Sequence, residues 1–250
     1  VAQETTLYGK ALYGEKSLHI LLEKLCRIRG IRWIRILYCY PEEIYDELIE
    51  VMAREPKICH YLDMPIQHAS DAVLKRMGRR TSRQELVDII TKLRSRIPDI
   101  VLRTTLISGF PGETQEDHEA LLEFVDEMEF DRLGVFPYSM EDNTPAAAMK
   151  DQIPEEVKEA RRDEIMELQQ EISLDKGQER IGQELLVMIE GKVSGESAYI
   201  ARTYGDAPKV DGYIFVQTGE LLMTGDFARV RVTGALEYDL IGELTDEYTE

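Results

Sequence analysis

A change of rhythm near residue 154 constrains this chain more than any other feature. Before it, short apolar runs alternate with helical patterns. Ile31–Tyr38 reads as a strand and Glu42–Arg54 as a helix; Ile58–Pro65 is a strand followed by helical Asp71–Met77 and Arg83–Ser95; then come strand Ile100–Ser108, helix Gln115–Met128 and strand Arg132–Tyr138. Such alternation predicts parallel βα units, in an open sheet or a barrel. Pro41 and Pro154 suit first-turn positions, and Thr114 with Asp117 three residues on has the form of a capping box. After Pro154 the pattern becomes one charged helix, Glu155–Arg180, with Ile165, Leu168 and Ile172 on a common stripe. From Glu184 on, five short β segments with Gly-rich turns predict a small antiparallel barrel of OB-like type. The predicted division is a partial barrel over 1–153, a linking helix over 154–182 and an all-β barrel over 183–250.

Charge and cysteine usage exclude several classes. Lys and Arg number 30 against 48 Asp and Glu, a formal net charge of −18, the wrong sign for a protein that neutralises phosphates. The final barrel, 183–250, holds 13 acids and 5 bases, an excess of 8. An acidic surface aids solubility, and it also accommodates a basic partner. No run of about 18 apolar residues exists, and the first 20 residues have no basic-then-apolar leader, so a cytosolic chain is expected. Cys26, Cys39 and Cys59 lie 13 and 20 positions apart. That spacing suits neither a disulfide framework nor a short-spaced metal site, and buried thiols are expected.

In parallel βα folds the carboxyl ends of the strands face the ligand. Here those ends are "LYCYP", "DMPIQHAS", "TTLISGFPGET" and "VFPYSMEDNTP". They contain no lysine for a Schiff base and no Ser-His-Asp set. Gln67, His68, Asn143 and the Gly109–Gly112 backbone are hydrogen-bonding groups suited to a polar small molecule. Gly109 and Gly112 would let a flat ring or ribose approach the backbone; a strand-to-helix turn alone would want the same glycines.

Taken in order, "AQETTLYGKALYG", "KICHYLDMPIQHASDAVLKRMGRR", "LRTTLISGFPGETQED" and "FDRLGVFPYSMEDNTPAA" closely resemble the radical S-adenosylmethionine (SAM) methylthiotransferases, most of all their ribosomal-protein branch. The resemblance covers essentially the whole chain. It implies a partial (β/α) radical SAM barrel followed by a TRAM domain, a four-iron four-sulfur cluster with SAM as cofactors, and insertion of a methylthio group at an aspartate β-carbon of small-subunit ribosomal protein 12 by way of a 5′-deoxyadenosyl radical. It also implies cofactor contacts: Gln3 toward the methionyl amino end, Gln67 and Arg79 toward ribose and carboxylate, and Thr104, Thr105 and the Gly109 backbone as further contacts. An arginine fork fits a carboxylate geometrically.

The family's CxxxCxxC cluster motif lies upstream of its "AQ[DE]TT" stretch, which here starts at Ala2. A fragment is therefore expected, without the cluster ligands or the amino-terminal domain and inactive alone. The transfer-RNA branch typically carries an arginine after the Tyr-Ser where this chain has Met140-Glu141-Asp142, and it pairs with a more basic TRAM domain. Protein 12 is accordingly the expected partner and RNA is not, with Glu190, Asp206 and Asp211 among the acids expected to steer it. Transfer RNA modification and a non-catalytic docking fragment are the alternatives.

Overall fold

A computed structural model describes residues 4–248, and the chain divides into two compact units, Val1–Gln169 and Gln170–Glu250. In the first, β1 (Ile34–Ile36), β2 (Ile58–Asp63), β3 (Val101–Ser108) and β4 (Arg132–Pro137) form a sheet in that order with every pairing parallel. Helices α3 (Asp46–Arg54), α4 (Asp71–Arg76), α5 (Arg83–Arg96) and α6 (Gln115–Met128) occupy the connections. This is the βα alternation expected of a partial barrel.

Local chemistry sets the helix starts. Ser82 and Thr114 close capping boxes with Glu85 and Asp117, at α5 and α6 respectively; each cap is worth about 1 kcal/mol. The helix expected from Glu42 instead begins at Asp46. Pro41–Glu43 forms a separate 3-10 turn, because Ile44 and Tyr45 are extended and Glu43 is drawn inward to Lys16 (2.8 Å) and Arg80 (2.7 Å). Two further helices, α1 (Lys10–Tyr13) and α2 (Leu18–Cys26), precede β1, and α2 buries Leu18 and Leu22.

From Leu102 on, strand β3 alternates between faces. Thr104, Leu106 and Ser108 are buried, while Arg103, Thr105 and Ile107 are half-buried on the other face. Parallel register places Asp63 beside Arg103, Arg103 beside Arg132, and Thr105 beside Gly134, so these residues share one face.

Helix α7 (Glu155–Gln178) follows. In the second unit β5 (Glu184–Lys192), β6 (Ala198–Thr203), β7 (Ile214–Gln217), β8 (Phe227–Ala235) and β9 (Leu240–Tyr248) close a barrel in the order β5-β6-β7-β9-β8. Its core is built from alternate residues such as Val187, Ile189, Ile214, Val216, Val230 and Val232. The barrel is not wholly antiparallel: β7 and β9 run parallel. Five strands cannot alternate direction all the way round a ring, so closure forces one parallel pair.

Candidate functional site

The carboxyl ends of β1 and β2 are tied together by Asp63, which also reaches Arg103 near the start of β3. Its buried carboxylate lies 2.7 Å from the Arg103 guanidinium and accepts the Tyr38 N–H at 3.1 Å, while its carbonyl accepts the Cys39 N–H at 2.9 Å. Arg103 also donates to the Thr105 hydroxyl at 3.2 Å. One acid thus fixes the ends of two strands and orients a cation from a third. Glu4 adds a second tie: its carboxylate accepts the Thr6 N–H (2.6 Å) and the Tyr40 N–H (2.7 Å), and the Thr5 N–H donates to the Tyr38 carbonyl at 3.0 Å.

Gln67 stands just past β2 at a left-handed φ of +70°, which costs a non-glycine residue about 1 kcal/mol. Two backbone bonds to β3 hold it there, from its N–H to the Thr105 carbonyl (3.0 Å) and from the Ile107 N–H to its carbonyl (2.8 Å). Its backbone is fully engaged and its side-chain amide is uncommitted. Tyr38, at the end of β1, is also left-handed at +60°, and its side chain is exposed. Non-glycine residues held in this region concentrate at binding sites. Arg79 stacks on the Tyr40 ring (4.6 Å to the centroid) and donates from Nη2 to the Pro65 carbonyl at 3.0 Å, two residues before Gln67; its Nε–H is buried with no hydrogen-bond partner. Gln67 and Arg79 are therefore brought to the same strand end, with hydrogen-bonding capacity left over.

The other predicted contacts are placed differently. The buried Thr104 hydroxyl donates to the Met64 carbonyl (2.9 Å) and receives the Ile66 N–H (3.3 Å), which commits it to the β2–β3 joint. Thr105 faces the half-buried side beside Arg103. Gln3 lies outside the described residues. Asn143 occupies an exposed left-handed turn after β4.

Gly109 and Gly112 do not open the backbone to a ligand. Both have positive φ, +69° and +80°, and a Cβ on Gly109 would lie 2.2 Å from Lys158 Cγ, while one on Gly112 would lie 2.0 Å from Arg76 Nη1. The close approach is made by the protein's own side chains. The loop curls around Glu113, whose buried carboxylate accepts the N–H groups of Gly109 (2.8 Å) and Phe110 (3.2 Å) and pairs with Arg161 at 2.8 Å. His68 Nε2 lies 3.5 Å from the same carboxylate, with Nδ1 accepting the Ser70 N–H at 2.9 Å. Burial pushes the Glu113 carboxyl up, but His68, Arg161 and the Phe110 N–H outweigh it and hold the group below the usual carboxylate range. His68 is thus part of this knot and not a pendant ligand group.

The cysteines do not fit an iron-sulfur cluster. Burial pushes the Cys39 thiol up to about 12, far from the thiolate that iron requires, and Cys59 is buried as well; Cys26, expected buried, is only half-buried, and partial burial pushes its thiol up too. Among the described residues no three His, Cys, Asp or Glu side chains are grouped to hold a metal. SAM fits better, since the Arg79 fork retains a buried, unpartnered N–H suited to a carboxylate. Asp63, Arg103 and Glu113 carried no expectation from the sequence. Glu113 has a local signal, its place directly after the Gly109–Gly112 turn; the Asp63–Arg103 pair spans 40 positions and leaves no local signal.

The surface acids also need correction. Asp206 is buried and accepts the Thr203 N–H and hydroxyl, Asp211 accepts the Ala207 N–H, and Glu190 pairs with Arg202. These are structural staples. Glu196, Glu220 and Glu237 are exposed instead.

Residues 4–125 match the family model of the radical SAM superfamily, and residues 181–245 match that of the TRAM domain. The chain therefore carries a radical SAM domain followed by a TRAM domain. Over 97% of its length it is 64% identical to the ribosomal protein uS12 methylthiotransferase RimO of Lachnoclostridium phytofermentans, and it is 54% identical over 97% to that of Pelotomaculum thermopropionicum and 50% over 98% to that of Desulfitobacterium hafniense. The chain is a relative of these RimO proteins and spans about half, 55%, of the length of each. Coproporphyrinogen III oxidase (HemN) from Escherichia coli, a radical SAM enzyme, superposes with a TM-score of 0.51 at 19% identity, covering 86% of this chain and 50% of that one, a likeness of fold alone. Among the described residues no helix is long and apolar enough to cross a membrane.

Proposed function

We propose that this chain is the SAM-holding and substrate-selecting part of a radical SAM enzyme that methylthiolates an aspartate β-carbon of small-subunit ribosomal protein uS12. Within it, residues 1–153 serve as the partial barrel, 154–182 as the linking helix and 183–250 as the TRAM barrel. The observation that carries this reading is the placement of Gln67 and Arg79 at one strand end, both with hydrogen-bonding groups to spare, in a chain 50–64% identical to RimO proteins.

Arg79 would hold the cofactor's carboxylate through its remaining N–H groups, while Tyr40 beneath it limits rotation of the guanidinium. The Gln67 amide would meet a ribose hydroxyl. Thr105 and Arg103 line the same sheet face, where Asp63 keeps the cation in place. The cluster and SAM supply the radical chemistry when bound, and the cysteines described here are not suited to ligate that cluster. What this part of the chain contributes is orientation.

The acidic barrel favours a basic protein over RNA as substrate. Exposed acids contribute only fractions of a kcal/mol each at physiological salt, so their summed field does the selecting. Titration of the protein with uS12 and with a transfer RNA, at low and at moderate salt, tests this. The expected outcome is salt-sensitive binding to uS12 and a slower association after reversing Glu196, Glu220 and Glu237 to Lys. Tighter binding to the RNA, or indifference to the reversals, contradicts it.

A further inference from the structure

The loop between β7 and β8, residues 218–226, displays two large apolar side chains to solvent: Leu221 is 86% exposed and Met223 is 72% exposed. Between them Leu222 is only 8% exposed and joins the barrel core. This out-in-out arrangement is rigidly built. The Tyr199 hydroxyl accepts the Leu222 N–H (3.1 Å) and donates to the Glu220 carbonyl (3.2 Å). Asp226 accepts the Met223 N–H at 2.7 Å, the Thr224 hydroxyl donates to the Glu190 carbonyl at 3.1 Å, and the Gly225 N–H donates to the Ile189 carbonyl at 2.8 Å. Leucine and methionine could turn inward from a loose loop. Here hydrogen bonds on both sides, with Leu222 as a plug, keep them out.

We propose that Leu221 and Met223 form a preorganised apolar anchor with which the acidic barrel grips a basic protein. The inference rests on the reading of a basic ribosomal protein as substrate and adds where the contact is made. Three observations choose the occupant. Neither side chain offers a flat face for stacking bases, and the barrel has 13 acids against 5 bases, so single-stranded nucleic acid finds neither of its usual holds. A second copy of this chain, with a net charge of −18, would be repelled. A basic protein meets apolar contact at Leu221 and Met223, a complementary charge at the exposed Glu220 next to Leu221, and the net negative charge of the barrel as a whole. A fixed apolar centre inside a charged rim is how protein interfaces concentrate their affinity. The anchor loses little entropy on binding because the loop is already ordered.

The test compares the full chain with its Leu221→Ser/Met223→Ser variant in titrations against uS12 at moderate salt. We expect the dissociation constant to rise about tenfold, mainly through faster dissociation, with the unfolding midpoint unchanged. A Leu221→Met/Met223→Leu variant should bind like the parent, since it keeps the apolar surface. Undiminished affinity in the serine variant overturns the proposal while leaving the choice of substrate intact. A parent that prefers transfer RNA to uS12 overturns that choice, and the anchor with it. If the serine substitutions change the oligomeric state and not the affinity, the surface belongs to a second copy and the proposal is wrong.

Discussion

Arg161 reaches from α7 to place its guanidinium 2.8 Å from the Glu113 carboxylate, both groups buried, and so closes the loop between β3 and α6 from the outside. Removing one partner of a buried pair leaves the other charge uncompensated, at a cost of about 3–5 kcal/mol. Glu113→Ala should therefore lower unfolding free energy in denaturant titrations by about 3 kcal/mol or more. A loss below about 1 kcal/mol would show that the knot is solvated in solution.

The same carboxylate sets a pH dependence. Its folded value lies below the ordinary one, so the unfolded state binds the proton more readily. The stabilisation is present above the unfolded value of about 4.3 and is lost as pH falls through that value toward the folded one. Unfolding free energy should drop below about pH 5, and Glu113→Gln should flatten that part of the profile. An unchanged acid limb in the variant would assign the drop to other carboxylates.

The two loop glycines should differ in tolerance. Alanine at Gly109 would collide with the Cγ and Cβ of Lys158, a buried residue, whereas at Gly112 the obstacle is the terminal guanidinium of Arg76, which is partly exposed and can swing away. Both also carry the strain of positive φ, roughly 1 kcal/mol. Thermal unfolding should rank Gly109→Ala well below Gly112→Ala; equal losses would mean that backbone strain alone matters.

Gln67 separates stability from binding. Gln67→Gly relieves a left-handed conformation and should leave the fold unharmed or stabilise it by up to about 1 kcal/mol, while weakening SAM binding measured by calorimetry. A destabilised protein, or unaltered SAM affinity, would remove Gln67 from the proposed site.

The alternation of βα units and the switch to consecutive strands are legible because periodicity is local: β3 is mostly apolar residues and threonine, and Thr114 with Asp117 is a capping box that the structure contains. What was illegible depends on partners distant in sequence. The glycines of "GFPGE" announce a close approach, but Lys158 lies 49 positions after Gly109, and nothing near the loop says that a lysine stem fills the space against the backbone. Asp206 is a local exception: charge alone does not reveal burial, and the Thr203 N–H and hydroxyl that draw it inward lie only three positions before it. The Gln67 and Arg79 pair could be carried over from a resemblance. The left-handed backbone that holds Gln67 in place could not.

The most direct test of the central claim is mass spectrometry on substrates exposed to the full-length, cluster-loaded protein with SAM, a reductant and a sulfur source. The account predicts that uS12 gains one CH2S unit, located to a single aspartate by fragmentation, and that transfer RNA in the same mixture is unchanged. A gain on the RNA, or none on uS12, would contradict it.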